Sequence, residues 1–328
     1  MPDVAIIGAG VMGLATAYAL QRAGVEVAVY EQFERGHARG SSHGRSRIFR
    51  LAYAEPDWVR LAQEALAGWR ELEARTSERL LELNGLIEVV HDLADSSAAA
   101  LDACGVQWSR LEREETERRF PLRLPPGAFA VLQPEAGIVH ADRALAAFER
   151  GIDVRYGARI DSLHELDAAC VVVAAGAWVN NLIEPPLPVR ITRETVCYFE
   201  PADRRPMPAF VSFGAKEEGI VYYALSDPLH GLKAAVHHGG AETSPDHEGQ
   251  PEQALIDAIS AWVAQHVELK SPHPVATDTC LYTTTADEQF ILERRGKVVI
   301  GSACSGHGFK FAPAVGTRIA ALAMEALR

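Results

Sequence analysis

The run Val4-Ala5-Ile6-Ile7-Gly8-Ala9-Gly10-Val11-Met12-Gly13-Leu14-Ala15-Thr16-Ala17 decides the fold. Its four leading apolar residues predict a strand buried on both faces. Three glycines then turn the chain, and a helix follows with Ala17, Leu20 and Ala23 on a loose apolar stripe. This is the dinucleotide fingerprint. Gly8 permits the tight turn, Gly10 lets backbone approach a pyrophosphate, and Gly13 lets the helix sit close on the sheet. The helix N-terminus adds free N–H groups and partial positive charge for the phosphates. A second strand at 25–30 ends in Glu31, whose carboxylate accepts ribose hydroxyls and repels a 2′-phosphate. The order of these parts predicts FAD or NAD over NADP and leaves those two open.

Beyond Glu31, residues 32–44 are rich in Gly, Arg, Ser and His and read as a loop. A long helix is expected over 57–83, with Leu61, Ala65, Trp69 and Leu72 on one face and Asn84-Gly85 as its stop. A strand follows at 85–90. Residues 92–120 read as helical and charged, broken by Gly105, and 119–126 as a proline-rich bend. Short strands are expected at 129–133 and 137–140, then a helix at 143–150 capped by Asp142, then a strand pair at 153–160. Residues 170–178 read as a second buried strand returning to the nucleotide sheet, with the small residues Ala175 and Gly176 as candidate cofactor contacts.

From 185 the texture changes. Residues 189–199, 210–213, 219–225 and 231–237 alternate as antiparallel strands do. A polar loop at 241–250, an amphipathic helix at 253–267 and strands at 275–284, 290–292 and 297–302 follow. A last helix spans 308–327, with Val315, Ile319, Leu322 and Ala326 buried together. The expected fold class is α/β. A Rossmann-type nucleotide domain is assembled from separated pieces (1–84, 138–184 and 285–328), and a substrate domain of antiparallel sheet plus helices is inserted (85–137 and 185–284).

Bulk properties narrow the function. A chain of 328 residues can bury a large core, and 48% apolar with 23% charged residues is ordinary for a soluble globular protein. The net charge of −12 argues against nucleic acid and anionic membranes as partners. Cys104, Cys170, Cys197, Cys280 and Cys304 are scattered and lack C-x-x-C spacing. No signal-peptide pattern, spanning apolar run or C-terminal peroxisomal address is visible, and the chain is expected in the cytoplasm. The twelve histidines show no H-E-x-x-H or comparable pair, so no metal is expected.

Three further stretches carry chemistry. Ser42-His43-Gly44-Arg45-Ser46-Arg47-Ile48-Phe49-Arg50 gathers three arginines in six positions of an acidic chain. Arg45 reads as solvated. If 47–51 is extended, Arg47 and Arg50 fall on opposite faces and do different jobs. One of them facing an interior site would hold a carboxylate in planar, bidentate fashion. Gly231-Leu232-Lys233-Ala234-Ala235-Val236-His237 sets Lys233 inside an apolar strand pattern, sharing a face with Ala235 and His237. Spacing alone favours an edge-strand lysine that blocks aggregation. Ser305-Gly306-His307-Gly308-Phe309-Lys310 repeats the logic of the first turn. Backbone N–H groups around Gly306 and Gly308 suit an anion such as the N1–C2=O edge of a reduced flavin, and Lys310 adds a formal charge.

Together Gly8-x-Gly10-x-x-Gly13, the 42–50 run, Gly231-Leu232-Lys233, Cys280-Leu281-Tyr282-Thr283 and the 305–310 run resemble the monomeric sarcosine oxidase family. That family includes N-methyltryptophan oxidase and pipecolate oxidase, within the D-amino-acid-oxidase-like flavoproteins. The motifs span nearly the whole chain in the family's order. The resemblance implies FAD rather than NAD, a monomer, and oxidation of a small N-methyl or cyclic secondary amino acid to an imine, with oxygen reduced to hydrogen peroxide. It implies that Cys280 bonds covalently to the flavin 8α-methyl, that Lys310 and Arg50 hold the substrate carboxylate, and that Lys233 lies near flavin N5 where oxygen reacts. It also implies that His43, Arg47 and Ser46 surround the isoalloxazine, and that His237 and Tyr282 line the substrate cavity. Without the family, Cys280 is equally a buried core cysteine, and Cys304 is the rival thiol. The chain is shorter than typical relatives, with losses expected around 90–160 and at the C-terminus. A flavin dehydrogenase of the same fold, an NAD-dependent dehydrogenase and a non-catalytic flavin-binding protein are the alternatives.

Overall fold

Val4–Ile7 is buried along its whole length and takes a parallel neighbour on each side, Val27–Tyr30 on one and Cys170–Val173 on the other. Branched aliphatic residues suit a strand covered on both faces. The computed structural model describes residues 2–203, 205, 207–213 and 221–328. Among them, Asp153–Arg155 extends this sheet beyond Val27–Tyr30, and Val298–Ser302 extends it beyond Cys170–Val173, both in parallel. Ile291–Arg295 closes the edge antiparallel, giving six strands. Helices Val11–Arg22 and Ala312–Ala326 lie against each other over this sheet.

The second sheet has nine strands among the described residues. Its order is Ala241–Glu242, Val189–Phe199, Gly231–His237, Val221–Asp227, Ala209–Phe213, Leu86–Val90, Phe129–Gln133, Ser109–Leu111, with Ala276–Thr285 along the other side of Val189–Phe199. Its pairings are antiparallel except that of Ala209–Phe213 with Leu86–Val90. Helix Gln253–His266 covers one face, packing Ile259, Trp262 and Val263 among Cys197, Phe199, Phe210 and Ala234. A small third sheet joins Ser46–Phe49, Gly137–His140 and Leu81–Glu82. No helix among the described residues is long and apolar enough to cross a membrane.

Several local expectations need correction. The second helix is Pro56–Thr76 and stops well short of residue 83. Ser77 turns left-handed at φ 56°, and the Glu73 carboxylate accepts the backbone N–H groups of Leu80 and Leu81. The apolar period continued through Leu80 and Leu81, but both are extended, and they fill the core from another direction. A side chain in the left-handed region costs about 1 kcal/mol, so Ser77→Gly is expected to stabilise the protein and raise Tm by about 2 °C. A thermal melt with unchanged or lowered Tm would contradict that reading.

The 92–120 region holds a strand, Ser109–Leu111, between helices Ala98–Ala103 and Arg113–Arg119. Three residues are too few to show alternation, and pairing with Phe129–Gln133 defines them. The helix expected at 143–150 is Ala141–Glu149, so Asp142 sits in its first turn and does not cap it. Only Asp153–Arg155 is a strand in the expected pair at 153–160. The first two residues of the strand expected at 219–225 lie outside the described residues. Ala23 is exposed at a helix end, and Leu322 and Ala326 are only partly buried. Most important for function, Gly231–His237 is an interior strand, not an edge. Lys233 is therefore not an aggregation guard.

Candidate functional site

A cavity of about 470 Å³ runs from the carboxyl ends of the parallel strands to the open face of the large sheet. Its first wall is the glycine turn. Gly8 has φ +103°, and a Cβ there would lie 2.5 Å from the Ala174 carbonyl oxygen. A Cβ on Gly13 would lie 1.9 Å from the Gly8 carbonyl oxygen, so the helix can start this close only on glycine. Gly10 faces Ser42, whose hydroxyl accepts the Val11 N–H at 3.0 Å. Glu31 is buried and accepts the N–H groups of Ala9 (2.9 Å) and Phe33 (3.0 Å). A carboxylate has about four acceptor positions, so two stay free for hydroxyls. Ala175 and Gly176 line the opposite rim.

The 41–50 segment forms the second wall. The Arg47 guanidinium donates to the carbonyls of Ser41 (2.7 Å), His43 (2.6 Å) and Ser46 (2.9 Å) and lies over the Phe309 ring. Those carbonyls fold the loop around the guanidinium. The strand ends at Phe49, so the alternation that would set Arg47 and Arg50 on opposite faces does not extend to Arg50, yet their contacts differ: Arg50 reaches the Ala52 carbonyl and the Tyr53 ring. Both arginines line the cavity, at different ends of the segment's contacts. Arg45 is exposed. Ser46 is buried and donates to Asp227 at 3.0 Å, while its carbonyl accepts the Lys233 ammonium at 3.2 Å. His43 Nε2 lies 3.4 Å from Asp278 Oδ2. Burial pushes the Asp278 carboxyl up, but the hydrogen bond and charge of His43 outweigh it and hold the carboxyl below its usual range.

The sheet face supplies the third wall. Lys233, His237, Tyr223, Cys280 and Tyr282 all line the cavity from it. Alternation fixes this: Lys233 pairs with Tyr198 and Leu225, and Ala235 with Val196 and Tyr223, so these side chains share one face. Burial, with Arg47 nearby, pushes Lys233 down to about 7. Burial pushes the Cys280 thiol up to about 11, against the pull of Arg47 and Lys233. Burial pushes His237 down to about 2, helped by His238 and Arg50, so its imidazole is uncharged.

The 304–310 turn closes the site. Gly306 and Gly308 line it, as do Cys304, His307 and Lys310. Tyr282 and His237 press so closely on Gly306 that a Cβ there would lie 2.3 Å from the Tyr282 ring. The turn is followed by a short 3₁₀ segment, Phe309–Phe311, before the last helix. Lys310 is buried within it and donates to the His307 carbonyl at 2.9 Å. Burial, then the charge of Arg50, pulls Lys310 well below its usual range. Arg50 hydrogen-bonds the Ala52 carbonyl and lies 4.1 Å over the Tyr53 ring, on which Lys310 also borders. Two cations from segments 260 residues apart thus meet at one end of the cavity, a local charge that suits a carboxylate.

Sequence reasoning missed Asp227, Asp278 and Tyr223, and gave Ser42 no role of its own within the 42–50 run. Tyr223 had a signal, since it shares a face with Ala235 once the hairpin register is known. The others are polar residues without distinctive spacing. It also missed that His237, His238 and Glu288 converge, with one ligand-type atom from each lying within 4.8 Å of the others. A search for local ligand pairs cannot see partners 50 residues apart.

Comparisons with known proteins bear on what fills this cavity. Residues 3–322 match the family model described as DAO: FAD dependent oxidoreductase. The chain is 32% identical over 360 residues to peroxisomal sarcosine oxidase from Homo sapiens, covering 98% of this chain and 92% of that protein. It is 28% identical to monomeric sarcosine oxidase from Bacillus sp. (strain B-0618), with the same coverage. The alignments exceed this chain's 328 residues, so those relatives carry insertions that it lacks. Among solved structures, NikD, an unusual amino acid oxidase essential for nikkomycin biosynthesis, superposes with a TM-score of 0.87 at 27% identity, covering 99% of this chain and 94% of that one.

Proposed function

The chain belongs to the FAD dependent oxidoreductase family and acts on C–N bonds, and from that premise we propose that it oxidises a small N-methyl or cyclic secondary amino acid. In the net reaction the amine carbon and nitrogen each lose a hydrogen and become an imine, and dioxygen takes both hydrogens and becomes hydrogen peroxide. The observation that carries this reading is the meeting of Arg50 and Lys310 at the cavity end that His237 also borders, with Lys233 facing in from the sheet.

The residues present fit FAD. The glycine turn leaves room for backbone approach, Glu31 keeps acceptor positions for ribose hydroxyls, and helix Val11–Arg22 starts at the turn. Gly8, Gly10, Gly13, Glu31, Ala175 and Gly176 would hold the nucleotide half; Ser46, Cys280, Gly306 and Gly308 would border the ring. When bound, FAD supplies the two-electron chemistry that connects amine to oxygen.

The protein's own side chains do the rest. Arg50 and Lys310 bind the substrate carboxylate and so fix which carbon is presented for reaction. His237, uncharged, and Tyr282 wall the amine end. Arg47 is spent on loop carbonyls, so its role is to position His43 and Ser46 and to add a fixed positive charge. Lys233 offers a cation where oxygen takes up electrons, and superoxide-like charge is favoured beside it. None of the five cysteines is paired in a disulfide, which supports a reducing compartment, the cytoplasm.

The test is an anaerobic screen of sarcosine, N-methyltryptophan, pipecolate and proline, watching the flavin absorbance. At least one should bleach it, and in air peroxide should then form one-for-one with imine. No bleaching by any secondary amine would end the proposal; bleaching without peroxide, with a dye still reduced, would select a dehydrogenase.

We also propose that the flavin is covalently attached through Cys280, which faces the cavity beside Arg47 and Lys233. Acid precipitation of the parent protein is expected to keep the yellow colour in the pellet, while Cys280→Ser releases nearly all of it. A parent whose flavin washes off would refute the linkage, and release by Cys304→Ser instead would reassign it.

A further inference from the structure

We propose that the side chains of His237, His238 and Glu288 form a binding site for a divalent cation of the zinc class, behind the stretch of cavity wall that His237 forms. One donor atom from each residue lies within 4.8 Å of the other two. His238 Nε2 is already 3.4 Å from Glu288 Oε1. In a tetrahedral zinc site, with bonds of about 2.0–2.2 Å, neighbouring donors sit roughly 3.3 Å apart. One pair is therefore near its bound separation, and the third donor must close by little more than a side-chain rotation. The His237 imidazole supplies that third donor, and Glu288, half exposed, has the freedom to follow as the set closes.

Two independent features point to a ligand here. Both ring nitrogens of His238 are buried, and neither makes a hydrogen bond in the structure. Nε2 faces only the Glu288 carboxylate and Nδ1 has no hydrogen-bond partner; an under-satisfied buried imidazole is costly, and a bound cation would satisfy one nitrogen. The backbone is also held out of its usual regions at two of the three positions. His238 has φ 59° and Glu288 has φ 57°, both left-handed and neither glycine. Strain of that kind persists where the surroundings enforce it, often at ligand sites. At His238 it folds the ring back to within 4.0 Å of the His237 ring, so consecutive residues of one strand end face the same space. An extended chain would send them to opposite faces.

The donor set of two imidazoles and one carboxylate suits zinc and its borderline neighbours over calcium or magnesium, which prefer oxygen ligands. Arg50 and Lys310 act electrostatically on His237. Their charge weakens the site, and Glu288 only partly offsets it. The affinity is therefore expected on the order of 1–100 µM rather than nanomolar. Three protein donors leave a fourth position for water, and an ion held there takes the His237 lone pair away from the substrate.

The experiment is calorimetric titration of zinc sulfate into the untagged, flavin-loaded protein, repeated for His238→Ala and Glu288→Gln. It reads binding and needs no turnover. The parent should bind one equivalent; His238→Ala should weaken it at least about 30-fold and Glu288→Gln about tenfold. Circular dichroism and flavin content check each variant, and if His238→Ala fails to fold, Glu288→Gln decides alone, since its side chain is half exposed. No saturable binding by the parent below about 1 mM, or an unchanged affinity in Glu288→Gln, overturns the site.

Discussion

Lys233→Met is expected to slow reoxidation of the reduced protein by oxygen about 10²–10³-fold, while anaerobic reduction by substrate changes no more than a few-fold. The lysine is buried in an interior strand and makes one hydrogen bond, to the Ser46 carbonyl. Its charge is therefore poorly neutralised and strong in a low-dielectric wall. Methionine keeps most of the apolar stem and removes the cation together with its hydrogen bond to the Ser46 carbonyl. Reoxidation should also depend on pH. Lys233 is pushed down to about 7, so it is charged below that pH and neutral above it. Reoxidation in the parent should fall as pH rises from 6 to 9, and Lys233→Met should be flat over that range. Stopped-flow measurement of the two half-reactions checks both points. Equal slowing of reduction and reoxidation would remove Lys233 from the oxygen step.

Gly13→Ala is expected to yield protein almost free of flavin. An added Cβ would sit 1.9 Å from the Gly8 carbonyl oxygen, more than 1 Å inside any tolerated contact. Either the helix withdraws from the sheet or the turn opens. Gly8 is pinned at φ +103° beside Ala174, so the turn has little room to adjust. Both outcomes misdirect the N–H groups that would face the pyrophosphate, and overpacking of this kind costs about 1–3 kcal/mol or more. Gly105→Ala is the control, because a Cβ there meets no atom within 4 Å and the residue lies outside the cavity, so its φ of +66° strains only a distant turn. It should keep its full flavin. The ratio of absorbance at 450 nm to 280 nm in the purified variants is the measurement. A fully yellow Gly13→Ala would show that the cofactor does not depend on this close approach.

The two predictions differ in where their warrant lies. Gly13 was identifiable from its spacing alone, because strand, turn and helix are continuous in the chain and a glycine every few residues leaves a local record. Lys233 was noticed for its place in an apolar run, yet alternation by itself favoured an edge strand. What reversed that reading was its pairing with Val189–Phe199 on one side and Val221–Asp227 on the other. Neither partner announces itself from the Lys233 neighbourhood.

The helix ending at Thr76 makes the same point at smaller scale. Leu80 and Leu81 kept the helical period, but a left-handed Ser77 and the Glu73 carboxylate turned the chain. Arg47 and Arg50 were expected on opposite faces, and a strand that stops at Phe49 brought both to one cavity. Resemblance in motif order did reach distant parts of the chain: it named Arg50, Lys310, Cys280 and Tyr282 for one site, and all four line the same cavity, because a shared order of motifs carries a folded arrangement with it.

From its residues alone this chain establishes a buried first strand, a glycine turn that takes a dinucleotide, an acid at the second strand's end and a second half rich in alternating strands. These are written in nearest-neighbour sterics and in periods of two and 3.6, which need no partner to be read. Tertiary structure alone decides that Lys233 is interior, that Arg47 is held by three carbonyls, that Asp278 meets His43 and that His238 meets Glu288. Those outcomes depend on register and on side chains far apart in the chain, and the energy that selects them appears only when the sheets close on each other.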